Sequence, residues 1–168
     1  MNNDVEKMAE NIFESINSSL LILTFLLDGS VFGIDMYEVQ EVMRVGKITP
    51  VHSAPTYVAG VYNLRGQIIT VIDLRLRLEL GRENDDLDRR MIIVKWKEEL
   101  IGLLVDRISD TATTDPDRFA LSPANMNGVT SCNLRGIFQS NEHLVGVLDL
   151  DAVLTPDDGP QKSTLKKG

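Results

Sequence analysis

Cysteine is almost absent from this chain of 168 residues: Cys132 stands alone. No internal disulfide can form, and such usage fits a reducing compartment. Histidine occurs twice, at His52 and His143, and neither has an obvious catalytic partner nearby. The patterns HExxH, CxxC, GxxxxGK[ST] and GxSxG are all missing, so the residues that metal, nucleotide or acyl-transfer chemistry needs are not assembled in any familiar form. Aromatics make up 5% of the chain, too few for base-stacking platforms. Positive charge is scarce too: 17 Lys and Arg face 25 Asp and Glu, for a net charge of −8. Nucleic acid and anionic membrane surfaces want the opposite sign. The longest apolar run, Leu20 to Leu27 broken by Thr24, is far short of the ~20 residues a bilayer span requires. The N-terminal stretch MNNDVEKMAENIF lacks the basic and apolar regions of a signal peptide. These absences predict a soluble, cytoplasmic protein without cofactor or metal. A hydrophobic content of 43% suffices for a packed core.

What is present centres on Val58 to Leu74, VAGVYNLRGQIITVIDL. Two runs rich in Val, Ile, Tyr and Thr flank Arg65-Gly66, which predicts a β-hairpin turning there. Gly66 supplies the turn, and Gly60 lies within the first strand. The second run is apolar on both faces, with Ile68, Ile72 and Leu74 on one and Ile69 and Val71 on the other. Such a strand is expected in a small closed barrel, or shared between two cores. Arg65 is a long cation at the tip of an apolar hairpin, where an arginine is ordinarily a solvated turn residue.

The second half repeats the pattern. Asn63-Leu64-Arg65-Gly66 recurs as Asn133-Leu134-Arg135-Gly136, and both runs close on Asp-Leu. Gly33 and Gly102 are 69 positions apart, Arg65 and Arg135 are 70, and Asp73 and Asp149 are 76. Self-similarity at a nearly constant offset predicts one supersecondary unit built twice, with the extra residues placed in the second hairpin's turn, Gln139 to His143.

Taken in order, Asn3 to Ser18 carries Val5, Met8, Ala9, Ile12 and Ile16 at helical spacing and predicts an amphipathic helix that lies on the barrels or frays. Leu20 to Leu27 and Ser30 to Ile34 predict a hairpin over Asp28-Gly29. Asp35 is expected to cap a short helix ending at Gly46, with Met36, Val39, Val42 and Met43 on one side and Glu38 and Glu41 on the other. Asp73 and Asp149, at matching places, are expected to cap the turns that follow them. Gly81 to Arg90 holds seven charges in ten residues and forms the seam between the halves. Met91 to Trp96 and Leu100 to Val105 predict another hairpin, Asp106 to Ala124 is expected to be irregular, and Gly128 to Phe138 pairs with Leu144 to Leu150. Cys132 is expected to be buried in a strand. Thr155 to Gly168 is expected to be a disordered tail.

Four blocks in this order resemble the CheW family, the coupling proteins of bacterial chemotaxis. They are Phe32-Gly33-Ile34-Asp35 with Val39-Gln40-Glu41-Val42; Gly60 to Gly66 with Ile72-Asp73-Leu74-Arg75; Gly102 to Asp106; and Val147 to Leu150. The resemblance spans about Leu20 to Leu154. It implies an all-β fold of two five-stranded SH3-like barrels packed together, with short helices. The first barrel is expected over roughly 20–81 and the second over 91–154, with exchange of strands between them left open; residues 1–19 form a helical extension. It implies a non-catalytic adaptor that bridges the cytoplasmic tip of chemoreceptors to the regulatory domain of the histidine kinase CheA. The receptor's helical hairpin would dock between the barrels, on a surface including Val39, Glu41, Val42, Val61, Asn63 and Arg65, with Glu41 and Arg65 paired. The resemblance thus moves Arg65 from solvated turn residue to functional residue. Phe119 to Met126 corresponds to the family's second kinase contact, and carries Ala120 and Asn125 where some members carry Arg and Phe. No kinase or receiver sequence accompanies the domain, which favours a stand-alone adaptor. The competing readings are a generic peptide-binding β-barrel and a small hydrolase of unfamiliar type; the latter lacks a nucleophile with its base.

Overall fold

The computed structural model describes residues 2–80, 88–120, 125–126 and 128–156. Most of the charged seam (81–87), the middle of the Phe119 to Met126 segment (121–124) and the tail from 157 lie outside the described residues. In chain order come α1 (Asn2–Ser18), β1 (Leu20–Leu27), β2 (Ser30–Asp35), β3 (Val39–Arg44), β4 (Val58–Leu64), β5 (Gln67–Asp73) and α2 (Leu74–Arg77). There follow β6 (Arg90–Trp96), β7 (Glu99–Val105), β8 (Arg107–Thr114), a minor pair β9 (Asn125–Met126) and β10 (Val129–Thr130), β11 (Leu134–Ser140), β12 (His143–Leu148) and α3 (Leu150–Leu154).

Tight hairpins dominate because their turns are two residues long. Asp28-Gly29, Arg65-Gly66 and Lys97-Glu98 each have both residues at positive φ, the turn geometry whose twist matches that of the flanking strands. The hairpins assemble into two five-stranded sheets, ordered β11-β12-β2-β1-β8 and β3-β6-β7-β5-β4. Each contains one parallel pair, β12 with β2 and β5 with β7, and in these Gly33 lies opposite Val147 as Gly102 lies opposite Val71. Each sheet also curls shut through a short bridge. Thr49 and Val61 exchange backbone hydrogen bonds of 2.9 and 2.8 Å, and Ala120 and Ile137 exchange bonds of 2.9 and 3.2 Å. The result is two SH3-like barrels.

Strands are exchanged between the linear halves. One barrel, A, takes β1 and β2 from before the seam and β8, β11 and β12 from after it; the other, B, takes β3, β4 and β5 with β6 and β7. Ile22, Phe138, Val145 and Val147 fill barrel A, and Leu64, Ile69, Val71, Met91, Ile93 and Leu104 fill barrel B. A larger core, including Phe25, Phe32, Ile34, Ile72, Leu74, Ile92 and Leu103, draws on both sheets and joins them. Strand β5 serves two cores, with Ile69 and Val71 turned into its barrel and Ile72 turned to the shared core. Ile68, expected to be buried with Ile72, is instead 61% exposed beside the turn.

Several local expectations are corrected. Asp35 caps a single 3₁₀ turn, Met36–Glu38, and the chain then enters β3 instead of continuing as a helix. Pairing of β3 with β6 slips between Val39 and Glu41, so Gln40 is extra. That bulge puts Val39 opposite Val94 and Val42 opposite Ile92, both on the shared-core side. Apolar residues three apart therefore share a face in a strand, and imitate helical spacing. Arg107 to Thr114 is a strand, not irregular chain: it pairs with β1 along its length, but faces solvent so widely that no apolar alternation marks it. Cys132 is exposed in a 3₁₀ turn. The described part of the α1 stripe is not covered, since Val5, Met8 and Ile12 are exposed, as is Phe13.

The repeat is real but its register is not the one the tetrapeptide suggests. The turn of the last hairpin lies at Asn141-Glu142, so β4–β5 corresponds to β11–β12 at the offset of 76 throughout. Bulges fall at matching points, between Val58 and Gly60 and between Leu134 and Gly136. Arg135 is thus the counterpart of Ala59, not of Arg65.

Candidate functional site

The site is built on the tip of the β4–β5 hairpin. Asn63 accepts the N–H of Gly66 through its side-chain oxygen at 2.7 Å, which pins the turn. Arg65 then sits at φ 51°, with its side chain carried out of the hairpin. Its guanidinium reaches Glu41 in β3 as a fork: Nη2 pairs with Oε2, and Nη1 lies 3.4 Å from Oε1. The hydrogen bonds from Arg65 hold the Glu41 carboxyl below its ordinary pKa, and Glu41 raises that of Arg65. Both groups therefore stay charged at any physiological pH.

Around this fork the backbone is tightly specified. Gly60 has φ 146°, and a Cβ there would come within 2.1 Å of the Thr49 carbonyl oxygen. Only glycine lets β4 meet the closing segment, which in turn sets Val61 against Thr49. Gly66 is required for conformation alone, since a Cβ would meet nothing within 4 Å. Of the residues expected to form the surface, Glu41 and Arg65 are joined directly. Val39 packs against the shared core, and Val42, on the same side of β3, is 40% exposed where that core reaches the surface. Val61 is half-buried in β4. Asn63 is turned into its own turn, so its role there is to place Arg65.

Asp73 and Asp149 both cap the helical turns that follow. Asp73 accepts from the N–H groups of Arg75 and Leu76, and Asp149 from that of Ala152. Asp73 also pairs with Arg89 at 3.0 Å.

Sequence reasoning missed the polar clamp at the barrel junction. Arg75, 7% exposed, bonds Asp106, 8% exposed, with Nε at 2.7 Å from Oδ1 and Nη2 at 2.6 Å from Oδ2. The Asp28 N–H donates to the same carboxylate at 2.8 Å. Burial pushes Asp106 up, but the Arg75 and Asp28 hydrogen bonds and the charges of Arg75 and Arg89 outweigh it, so its pKa is lowered. The signals available were single charges closing apolar stretches, Arg75 after Leu74 and Asp106 after Val105, with nothing to say that they meet. Also missed was a second arginine site. Arg135 Nη1 lies 3.6 Å from Asp35 Oδ2, and Glu38, Asp149 and Asp151 line the same cleft of about 230 Å³ with Lys95 and Trp96.

Two closed barrels sharing a core, with an ion-paired hairpin beside an edge strand, define the double SH3-like scaffold class. The family model for the CheW-like domain matches residues 21–157, and the chain belongs to that family. It is similar to the chemotaxis protein CheW of Bacillus subtilis, 29% identical over 79% of this chain and 85% of that protein. It is 28% identical to CheW of Helicobacter pylori, over 82% and 83% of the two chains. The fold matches the crystal structure of the scaffolding protein TtCheW from Thermoanaerobacter tengcongensis with a TM-score of 0.76 and 27% identity, over 83% of this chain and 90% of that one.

Proposed function

We propose that this chemotaxis scaffold is a cytoplasmic adaptor that couples the cytoplasmic tip of a chemoreceptor to the regulatory domain of a CheA-type histidine kinase. The observation that carries the reading is the Arg65–Glu41 fork. It is solvent-facing, it joins a hairpin tip to an edge strand, and it lies on the strand that exposes Val42 beside the shared core. Exposed ion pairs stabilise a fold little, so a bidentate one between separate elements serves the shape of a surface. The apolar face of a helical hairpin lies across the edge of β3, whose two faces carry Glu41 on one and Val39 with Val42 on the other, and reaches Val61 in β4. The kinase domain binds at the exposed hairpin end of barrel B, where Ile68 presents an uncovered apolar side chain. Family membership supports both partners, and no helix among the described residues is long and apolar enough to cross a membrane.

Calorimetric titration with a receptor-tip fragment, and separately with a kinase regulatory domain, tests the reading. Each is expected to bind with a Kd of tens of micromolar or tighter. Absence of heat and of co-elution for both would return the chain to a peptide-binding barrel of other specificity.

A further inference from the structure

Arg135 occupies the bulge of β11, where two residues oppose one across the pair. Its counterpart in β4 is Ala59, so the arginine is a departure from the repeat and not an echo of it. Bulges re-aim side chains, and this one sends a cation to the point where the chain leaves barrel A for barrel B. There the two oxygens of Asp35 divide their work. Oδ1 accepts the Tyr37 N–H at 3.0 Å and caps the 3₁₀ turn; Oδ2 faces Arg135 at 3.6 Å. On its other side the guanidinium lies over the ring of Phe119, 5.9 Å from its centre. Phe119 in turn stacks on Phe138 and fills the space that a Cβ at Gly136 would need, at 2.7 Å. Arg135 is therefore fixed by the closure of barrel A and grips the first residue of the crossing.

We propose that Arg135 is a positioning residue for the docking surface, anchoring from barrel A the root of the strand that carries Glu41. The inference rests on the functional reading above. Strand β3 is an edge strand paired only with β6, and edge strands open more readily than central ones, so their anchors decide where their side chains point. Arg65 holds β3 at its middle, and Arg135 holds its root. Glu38, at the end of the same turn, lines the cleft with Arg135, whose charge only partly offsets the burial and the Asp35 and Asp149 charges that push its carboxyl up.

Two variants and two readouts test this. Arg135→Ala removes the cation; Asp35→Asn keeps the capping oxygen and removes only the ion pair. In the free protein, each should speed hydrogen exchange at the β3 amides about tenfold while β1 and β7 keep their protection. Receptor-tip affinity should fall about fivefold for each, with the double variant losing less than the product, and Arg135→Lys should restore much of the protection. If Arg135→Ala does not fold, Asp35→Asn carries both readouts alone. Unchanged β3 exchange in the variants overturns the anchor, whatever the receptor does. Loosened β3 with unchanged receptor affinity overturns its role in docking. A wild-type chain that fails to bind the tip, with β3 still loosened in the variants, overturns the functional reading and leaves the anchor standing.

Discussion

Arg65 and Glu41 face solvent, so what they contribute belongs to surface shape and only marginally to folding. Arg65→Ala should leave the thermal midpoint nearly unchanged yet weaken receptor-tip binding about tenfold. Glu41→Ala should do the same, and the double variant should lose less than the product of the two, because the second change removes a partner already lost. Losses that multiply independently would separate the two residues. The clamp at the junction behaves oppositely. Asp106→Ala leaves Arg75 buried without its carboxylate, which costs ~3 kcal/mol or more. A midpoint lowered by roughly 10 °C in calorimetry is the expected result. Because the pKa of Asp106 is lowered by folding, its contribution is complete above its ordinary value of 3.8 and disappears as pH falls through the folded value. Glu38 has the reverse sign. Its raised pKa means that the folded state holds the proton more tightly, so its contribution is present below the ordinary value of 4.5 and lost as pH rises through the folded one. Glu38→Gln should raise the midpoint at pH 7 by about 1 °C and lose that gain in acid. Among these residues only Arg65 and Glu41 were legible beforehand, through a strong hairpin turn and a family motif. Arg75 and Asp106 were not, since a clamp between residues 31 apart leaves no local pattern. Arg135 was misplaced, because the same four letters occur once at a turn and once at a bulge.

At the scale of elements, glycine positions separate conformation from contact. Gly66→Ala strains a turn that has open space and should cost ~1 kcal/mol. Gly60→Ala would also push the Thr49 carbonyl aside and break the bridge that closes barrel B, and should cost ~3 kcal/mol or more. Denaturant melts of the two variants compare them directly, and equal losses would contradict the account of the closure. The hairpins over Asp28-Gly29 and Arg65-Gly66 were readable because glycine takes positive φ cheaply, whereas Lys97-Glu98 and Asn141-Glu142 turn without a glycine to mark the two residues. Strand β3 was not, because a bulge at Gln40 gives a strand the apolar spacing of a helix. Strand β8 was not, because Arg107, Ser109, Asp110, Thr111 and Thr113 all point to solvent and only its neighbour β1 defines it.

For the whole molecule, the repeat announced two related units but not how they interlock. Barrel A needs β1 and β2 from before the seam, and the largest core is shared, so neither linear half holds a barrel. The contact between hairpin turn and opposite helix even recurs with its charges reversed. Arg75 faces Asp28 at 3.7 Å, and at the matching positions Asp151 faces Lys97 at 3.9 Å. Unfolding should therefore be a single transition with equal calorimetric and van't Hoff enthalpies; two resolved transitions would contradict the shared core. The fork and Ile68 share the tip of the β4–β5 hairpin, so on the proposed reading the two partners bind side by side there. The most direct measurement of the central claim is sedimentation velocity with the chain, a receptor-tip fragment and a kinase regulatory domain together. A species containing all three, formed only when the chain is present and lost with Arg65→Ala, is the predicted result. Receptor tip and kinase domain that displace each other from the chain would contradict it.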